Sequence, residues 1–281
     1  MISEISNHIN YRCYNQGMIY MALFCLLSGY ISFVIAQECS AVPTNIVSWW
    51  TGDGDAYDRI GGQYGSMVIG VTFESGKVGQ AFRFNGIRGC IDCGDLNAVE
   101  LENGTYEMWF MTEIANSGRD PLNSYQALIS KMYQGSLRAR KLILENARTI
   151  KFEIYDQSQP GSFVRIYTRP VEFEPGEWHH VAATWGETGM KIYLDGVVND
   201  SSEYTGYGYS SELPFVIGNL KEDFNTGREY GFYGMIDEIS IYERALTAQE
   251  IKSIYDAGSA GKCKIELPNP IINPKIHILD D

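Results

Sequence analysis

Positive charge is scarce in this sequence. Its 281 residues include 22 lysines and arginines against 35 aspartates and glutamates, which gives a formal net charge of −13 at pH 7. Nucleic acids and anionic membrane surfaces are themselves polyanions, so they repel a protein this acidic. The composition therefore argues against nucleic acid or a membrane surface as a partner, and it favours solubility and contact with divalent cations.

Histidine is also scarce, with four residues in the whole chain. His179 and His180 are neighbours in a predicted strand, where successive side chains point to opposite faces, so they cannot share a metal ion or a substrate proton. The other histidine after residue 36 is His277, in a tail that contains prolines. A Ser-His-Asp triad has no local support, and we interpret the neighbouring histidines as structural.

Helical periodicity is missing from the chain between Ile46 and Tyr242. Short runs of β-branched and aromatic residues are separated there by Gly, Pro and Asn at the spacing of a β-sandwich. The predicted strands are Ile46–Trp50, Met67–Phe73, Gln80–Phe84, Gly104–Met111, Gln126–Lys131, Lys141–Glu145, Thr149–Tyr155, Phe163–Thr168, Trp178–Trp185, Met190–Leu194, Leu213–Ile217 and Gly231–Tyr242. They predict an all-β fold, an antiparallel β-sandwich of the jelly-roll type.

The stretch from Glu174 to Gly196 is the predicted centre of this fold. Its strand Trp178–Trp185 has no clearly polar face, which is typical of a strand that is packed on both sides. The pair Asp195 and Gly196 follows the next strand, and both residues tolerate the positive φ angles of a type I′ hairpin turn. The segment therefore predicts buried strands that a tight hairpin joins.

One helix is clearly signalled near the end of the domain. Thr247 and Glu250 have the spacing of a capping box, and Ile251 with Ile254 supplies an apolar face. Gly258 can end the helix in a left-handed conformation. We predict one short C-terminal helix, packed on the edge of the sandwich.

The two ends of the chain are predicted to lie outside the folded domain. Residues 17–36 form an apolar run that ends in the small residues Val34 and Ala36, as a secretory signal peptide does. The alternative is an uncleaved membrane anchor, because the run is near the roughly 20 residues that span a bilayer. We predict a signal peptide over 1–36, one domain over 37–263 and an extension or linker over 264–281, in a protein that is secreted or held at the cell surface.

Four motifs in this sequence resemble a known family. They are IVSWWTGDGDAYD, GKVGQAFRFNG, WHHVAATW followed by KIYLDG, and GMIDEISIYERALTAQEI, and they cover roughly Ile46 to Gly258. Together they resemble a laminin G-like domain of the concanavalin A-like lectin and glucanase superfamily, in the variety common in secreted bacterial proteins. The resemblance implies a jelly-roll fold, which hosts many unrelated functions.

The resemblance also bears on catalysis. The glucanases of this superfamily carry a GluXAspXXGlu or GluXAspXGlu strand that sets two carboxylates on one face. In this sequence Met235 stands where the first carboxylate is needed, so Asp237 lacks a partner on its face, and Glu238 is expected to point to the opposite face. We therefore predict a non-catalytic module, and a glycosidase only if different strands bring a carboxylate pair together on one face.

Calcium is the cofactor that the resemblance implies. In this superfamily a structural Ca²⁺ often joins a loop near the N-terminal strand to an aspartate of the last strand, which corresponds here to Asp237. The loop would be GDGDAYD, so the predicted ligands are Asp53, Asp55 and Asp237, because Ca²⁺ requires hard oxygen donors at close spacing. The alternative is an Asp and Gly turn whose carboxylates bond to its own backbone.

Sugar binding requires exposed aromatic rings on which a pyranose can stack. At least four of the five tryptophans are expected in the core, which leaves the loop YTGYGY, with Tyr204, Tyr207 and Tyr209, as the predicted ligand site. The alternative for this loop is an ordinary long hairpin connection. The predicted function is a secreted carbohydrate-binding or adhesive module with a glycan or extracellular protein as partner, and the alternative is a protein-interaction or structural domain that binds no sugar.

Four cysteines follow the predicted signal peptide. Cys39 precedes the first strand and Cys263 follows the helix, and because domain termini tend to lie close together, we predict a Cys39–Cys263 disulfide. Cys90 and Cys93 would be about 10 Å apart in an extended strand, which is beyond the roughly 7 Å limit for a disulfide. We predict that these two stay unpaired unless a turn folds them together.

Overall fold

The computed structural model describes residues 37–67, 70–94, 96, 102–114, 125–131, 140–156, 158–159, 161–206, 214–220 and 230–264. The chain divides into two compact units, Met1–Glu38 and Cys39–Asp281, and nearly all the described residues belong to the second. The predicted signal peptide and almost all of the predicted extension lie outside the described residues, so both remain predictions. Within the described part, no helix is long and apolar enough to cross a membrane.

Two antiparallel sheets confirm the predicted β-sandwich. The first sheet has eight strands, β1 (Ile46–Trp50), β3 (Val71–Ser75), β4 (Gln80–Asn85), β6 (Gly104–Thr112), β11 (His179–Trp185), β12 (Met190–Leu194), β13 (Val197–Ser202) and β15 (Tyr233–Tyr242). The second has seven, β2 (Ser66–Met67), β5 (Ile91–Asp92), β7 (Tyr125–Lys131), β8 (Arg140–Glu145), β9 (Thr149–Tyr155), β10 (Phe163–Tyr167) and β14 (Phe215–Ile217). Neighbouring strands run β13-β12-β11-β6-β15-β4-β3 in the first sheet, with β1 beside β15, and β10-β9-β8-β7-β14-β5-β2 in the second.

Strand β11 lies inside the first sheet, between β12 and β6, as its sequence predicts. Val181, Ala183 and Trp185 point into the main core between the sheets. Ala182 points to the other side, where the helix α1 (Ala248–Asp256) covers it with two isoleucines. The turn Asp195-Gly196 joins β12 to β13 with φ angles of 50° and 75°, which confirms the predicted hairpin.

The helix α1 begins with the predicted capping box. The Thr247 hydroxyl accepts a hydrogen bond from the Glu250 backbone N–H, and the Glu250 side chain accepts one from the Thr247 backbone N–H. Ile251 and Ile254 are buried, and burying each such side chain contributes about 1.5–3 kcal/mol. The helix packs on the outer face of the first sheet, so its predicted position at the sandwich edge is wrong.

Some predicted strand limits differ from the structure. The strand predicted over Met67–Phe73 is two strands in different sheets, β2 and β3, and Gly70 between them has a φ of 109° that ends regular pairing. Trp178 lies just before β11 instead of within it, and packs on Met111 and Met235. The strands β5 and β13 were not predicted as such, because β5 has only two residues and β13 is largely exposed.

A disulfide joins Cys39 to Cys263, as predicted, and closes a loop with a sequence separation of 224 residues. Beside it, Ser40 and Lys262 form a parallel bridge, with Cys263 N donating to Ser40 O at 2.8 Å. The two ends of the domain therefore lie together.

Candidate functional site

Strand β15 carries two neighbouring carboxylates, Asp237 and Glu238, in a β-bulge. The register against β6 shifts between Asp237 and Ser240, and Glu238 has a φ of 56°, which is uncommon for a residue other than glycine. Asp237 is 0% and Glu238 is 3% exposed. The bulge therefore buries both acids and directs them to different partners.

Asp237 and Asp53 bind the two ends of one tight turn. Asp237 Oδ2 accepts a hydrogen bond from Val78 N at 2.9 Å, and Asp53 Oδ1 accepts one from Gln80 N at 2.9 Å. A Cβ atom at Gly76 would lie 2.6 Å from Asp237 Oδ2, so the turn can come this close only because that residue is glycine. Two of the three predicted calcium ligands are thus brought to the same turn.

Asp55, the third predicted ligand, has other partners. Its Oδ1 accepts a hydrogen bond from Tyr57 N at 3.0 Å and pairs with Arg59 Nη2 at 2.9 Å. Asp58 likewise accepts from two backbone N–H groups, those of Trp49 and Ile60, at 2.9 Å. These two aspartates follow the alternative interpretation, a turn that bonds to its own residues. Across the described ranges, no group of three or more His, Cys, Asp and Glu side chains is gathered that could hold a metal ion.

One buried atom nevertheless fits a cation at the turn. Asp237 Oδ1 is buried and has no hydrogen-bond partner among the described residues. Burial raises the pKa of Asp237 to about 8, although the hydrogen bond from Val78 opposes the shift. A cation would compensate this carboxylate, and Asp53 supplies a second hard oxygen donor at the same turn. Calcium stays a prediction, with Asp53 and Asp237 as the side chains that would hold it.

Glu238 belongs to a buried charged cluster, which we define as Glu107, His180, Glu238 and Lys262. Lys262 Nζ lies 2.8 Å from Glu107 Oε1 and 3.2 Å from Glu238 Oε2. Glu107 Oε2 lies 3.0 Å from His180 Nε2, and Trp49 Nε1 donates to Glu238 Oε2 at 3.0 Å. None of the four cluster residues is more than 4% exposed. The cluster ties three strands of the first sheet to the C-terminal segment.

Glu107 and Glu238 come from different strands, so they are the kind of pair that a glycosidase would need. Burial would raise the pKa of Glu107, but Lys262 and His180 outweigh it and lower that pKa to about 2. Burial raises the pKa of Glu238 despite Lys262. The Lys262 ammonium contacts both carboxylates, and Glu107 is 0% exposed. These carboxylates therefore hold a lysine and do not flank a site where a glycosidic bond could lie.

A cleft of about 560 Å³ opens beside the buried charged cluster. Trp49, Glu238 and Lys262 line it, so the cluster forms part of its wall. The loop after β1 contributes Tyr57 and Arg59. The volume lies within the range of about 300–1,000 Å³ that is typical of small-ligand sites.

Tyr57, which lines this cleft, forms an aromatic pair with Tyr64, which is not one of the lining residues. Their ring centroids are 4.7 Å apart with an interplanar angle of 52°, and the two residues form an isolated antiparallel bridge. Tyr64 is 73% exposed. This aromatic pair was not predicted from the sequence, because the loop after β1 was interpreted only as a source of carboxylate ligands. The available signal was GGQYGS, in which Tyr64 stands beside small residues much as Tyr207 does in the loop that was chosen.

Tyr204, from the predicted ligand loop, is half-buried. Its ring packs against the main core, and its hydroxyl donates to Tyr155 O at 3.4 Å. Tyr204 thus contributes to packing, and its role in binding a ligand stays a prediction. Tyr207 and Tyr209 lie outside the described residues, so their part of the prediction is not tested.

His179 and His180 contact different carboxylates, and His277 lies outside the described residues. His179 Nδ1 lies 2.9 Å from Asp195 Oδ2, whereas His180 contacts Glu107 in the cluster. Cys90 and Cys93 are buried, and neither is joined to Cys39 or Cys263, which form a disulfide with each other. Burial raises the pKa of the Cys93 thiol, which makes it a poor nucleophile at neutral pH.

Comparison with family models identifies the chain. A laminin G model, described as the concanavalin A-like lectin/glucanases superfamily, matches residues 89–252, which is more than half of the 281 residues. The chain belongs to this superfamily. Most of the residues that line the cleft precede or follow the matched range, and Glu238 lies inside it.

Two curated relatives match part of the chain. A rat protein with sushi, von Willebrand factor type A, EGF and pentraxin domains is 32% identical over 102 residues, which are 33% of this chain and 3% of the rat protein. The human adhesion G-protein coupled receptor D1 is 32% identical over 123 residues, which are 40% of this chain and 13% of the receptor. The chain thus spans a small part of the length of either relative.

Solved structures share the fold at low sequence identity. One is domain 4 of AbnA, a GH43 extracellular arabinanase from Geobacillus stearothermophilus, in complex with arabinotriose. Its TM-score is 0.57 at 18% sequence identity, and the match covers 74% of this chain and 97% of that domain. The binding domain of Paraclostridial Mosquitocidal Protein 1 has a TM-score of 0.60 and 18% identity, with 75% and 52% covered. These similarities establish the fold.

Proposed function

We propose that this chain is a non-catalytic, secreted carbohydrate-binding module, with the Tyr57–Tyr64 pair and the adjoining cleft as its sugar site. The observation that carries the proposal is the exposure of Tyr64, 73%, beside a second ring and a cleft of ligand size. Exposed aromatic rings are the surface on which the apolar face of a sugar ring stacks, while polar groups at the rim fix its hydroxyls.

Three further observations support this proposal. The superfamily is a lectin and glucanase superfamily, and the similar AbnA domain is solved in complex with arabinotriose. The Cys39–Cys263 disulfide suits an oxidising, extracellular compartment. Within the described ranges, Glu107 and Glu238 come together from different strands, and both contact Lys262. The chain is thus suited to binding a glycan without cleaving it.

The proposal includes a structural calcium ion at the turn Gly76–Gly79. Asp53 and Asp237 would hold it, since both contact this turn and Asp237 Oδ1 has no other partner in the described part of the chain. Asp53 also lines the cleft, so the ion would stabilise one of its walls. The ion would stabilise the folded state and hold the turn in position.

A protein partner is the alternative function, because tyrosine is enriched at protein interfaces as well as at sugar sites. The relatives with sushi and EGF domains and the adhesion receptor are the observation that favours it. A glycan array separates the two, since a domain that recognises only protein gives no bound sugar.

Replacing Tyr64 or Tyr57 with alanine is expected to weaken glycan binding about two- to tenfold, because each ring contributes about 0.5–1.5 kcal/mol of stacking. The measurement is a glycan array, followed by calorimetric titration of the sugars that bind. Tyr125→Ala is the matched control, since Tyr125 is 43% exposed but lies on β7 in the second sheet. Equal affinity of all three variants and the wild type would contradict the assignment of the site.

A further inference from the structure

We infer that the ligand of this cleft is an acidic glycan whose carboxylate or sulfate group binds Arg59 and Lys264. The inference rests on the proposed function, since it names the class of sugar that the same cleft takes. Two cationic groups at the cleft carry it, because each keeps a donor that no described residue uses, Nη1 in Arg59 and Nζ in Lys264.

The guanidinium of Arg59 is held in place by three contacts. Nη2 pairs with Asp55 Oδ1 at 2.9 Å, Nε donates to Thr51 Oγ1 at 3.4 Å, and the guanidinium carbon lies 5.6 Å from the Tyr57 ring centroid. The Nη1 group has no partner within the described ranges, and the side chain is 33% exposed. A guanidinium that is already oriented and keeps unused donors loses little freedom when it binds a carboxylate or sulfate.

Lys264 supplies the second cationic group. It follows the disulfide cysteine Cys263, which fixes the backbone beside the cleft, and its exposed side chain lines that cleft. No hydrogen bond or ion pair joins it to another described residue. Lys262 also lines the cleft, but it is 1% exposed and bonded to Glu107 and Glu238, so it cannot add a contact to the ligand.

The two carboxylates that line the cleft contact groups other than Arg59 and Lys264. Among the lining residues, three cations, Arg59, Lys262 and Lys264, stand against two carboxylates, Asp53 and Glu238. Glu238 is paired with Lys262, and Asp53 accepts a hydrogen bond from the backbone of the Gly76–Gly79 turn region. In a chain with a net charge of −13, Arg59 and Lys264 thus present cationic groups to the cleft, while Lys262 is taken up by two buried carboxylates. The neighbouring Tyr57 ring offers a stacking face beside the guanidinium, which suits a sugar that carries its own negative group.

A glycan array of matched pairs that differ only in charge tests the inference. One series contains uronic acid oligosaccharides and their methyl esters, and the other contains sulfated oligosaccharides and their desulfated forms. We expect the protein to bind the acidic member of a pair, and to bind it more weakly as salt rises from about 50 mM to about 500 mM, because salt screens exposed charges. The two series separate carboxylate from sulfate as the recognised group.

Two single variants locate the contact. Arg59→Gln and Lys264→Gln are each expected to raise the dissociation constant for the acidic glycan about tenfold, or ~1.4 kcal/mol, and to reduce the preference for the acidic over the neutral member of a pair. Arg148→Gln is the control, because Arg148 is exposed and is not one of the residues that line the cleft. Its Nη2 atom lies 3.7 Å from Glu172 Oε1. Thermal melting of each variant verifies that it is folded.

The outcomes distinguish the inference from the function on which it rests. Preference for the neutral sugars overturns the inference and leaves the proposed function in place. A preference for acidic sugars that persists in the double variant Arg59→Gln/Lys264→Gln also overturns the inference and leaves the proposed function in place. Binding to no sugar in either series or elsewhere on the array overturns the proposed function, and the inference falls with it.

Discussion

Replacing Lys262 with methionine is expected to lower the free energy of unfolding by about 3–5 kcal/mol. The substitution keeps the length and apolar stem of the side chain but removes the ammonium that neutralises Glu107 and Glu238. Both carboxylates would then be buried without a counter-charge, at 0% and 3% exposure. The disulfide at Cys263 still holds the segment in place, so the loss measures the buried charge rather than detachment of the chain end. Chemical denaturation at pH 7 gives the value.

Two matched variants test this explanation. Lys252→Met removes an exposed lysine that pairs with Asp256 on α1, and surface pairs of this kind are worth about 0–1 kcal/mol. Glu107→Gln combined with Lys262→Met removes a carboxylate together with the ammonium, so it should recover part of the stability lost in Lys262→Met. If Lys262→Met lowers the free energy of unfolding by no more than Lys252→Met does, the buried charged cluster is not a stabilising element.

The fold could be predicted because its signals are local in sequence. The apolar residues on both faces of β11 predict a central strand, and the Asp195-Gly196 pair predicts a hairpin by its tolerance of positive φ angles. The capping box of Thr247 and Glu250 needs only the spacing of two residues. The strand predictions failed where a glycine or a very short pairing interrupts the pattern, as at Gly70 and β5, and where a strand is largely exposed, as in β13.

The candidate site could be predicted only in part, because most of its contacts join residues that are distant in sequence. The pairing of Lys262 with Glu107 spans 155 residues, and nothing in either local segment signals it. Asp237 and Asp53 were placed near each other by family resemblance, and the structure adds the turn that they share. The ion pair of Asp55 with Arg59 was not predicted, because the same spacing that suggests a metal loop also allows an i,i+4 ion pair.

The bulge at Glu238 shows a second reason why part of the site could not be predicted from the sequence. Strict alternation along a strand assigns Asp237 and Glu238 to opposite faces, and the sequence contains no glycine there that would announce a bulge. A φ of 56° at Glu238 breaks the alternation, and the compensating contacts come from Trp49 and Lys262. Backbone strain that tertiary contacts stabilise is not visible in a local pattern.

Calcium is expected to raise the melting temperature of the wild type, and a chelator to lower it. Binding to the native state alone adds RT ln(1 + [L]/Kd), so calcium at about 100 times its dissociation constant contributes roughly 2.7 kcal/mol. The effect should grow with pH. Asp237 has an ordinary pKa of 3.8 and a folded pKa of about 8, so without an ion the native state keeps a proton that the unfolded chain releases, and stability falls as pH rises from about 4 to 8. A bound calcium ion takes the place of that proton, so its stabilising effect is expected to be largest near pH 8.

Aspartate-to-asparagine variants at three positions identify the ligands. Asp237→Asn should abolish both the response to calcium and the fall in stability between pH 4 and 8, because the amide cannot ionise. Asp53→Asn should weaken the calcium response, whereas Asp55→Asn should keep it, since Asp55 is paired with Arg59. The measurement is thermal melting of each variant at pH 5 and pH 8, with calcium or with EDTA. Melting temperatures of the wild type that are identical with calcium and with EDTA at both pH values would exclude the ion, and a response lost in Asp55→Asn but kept in Asp53→Asn would move its site to the loop after β1.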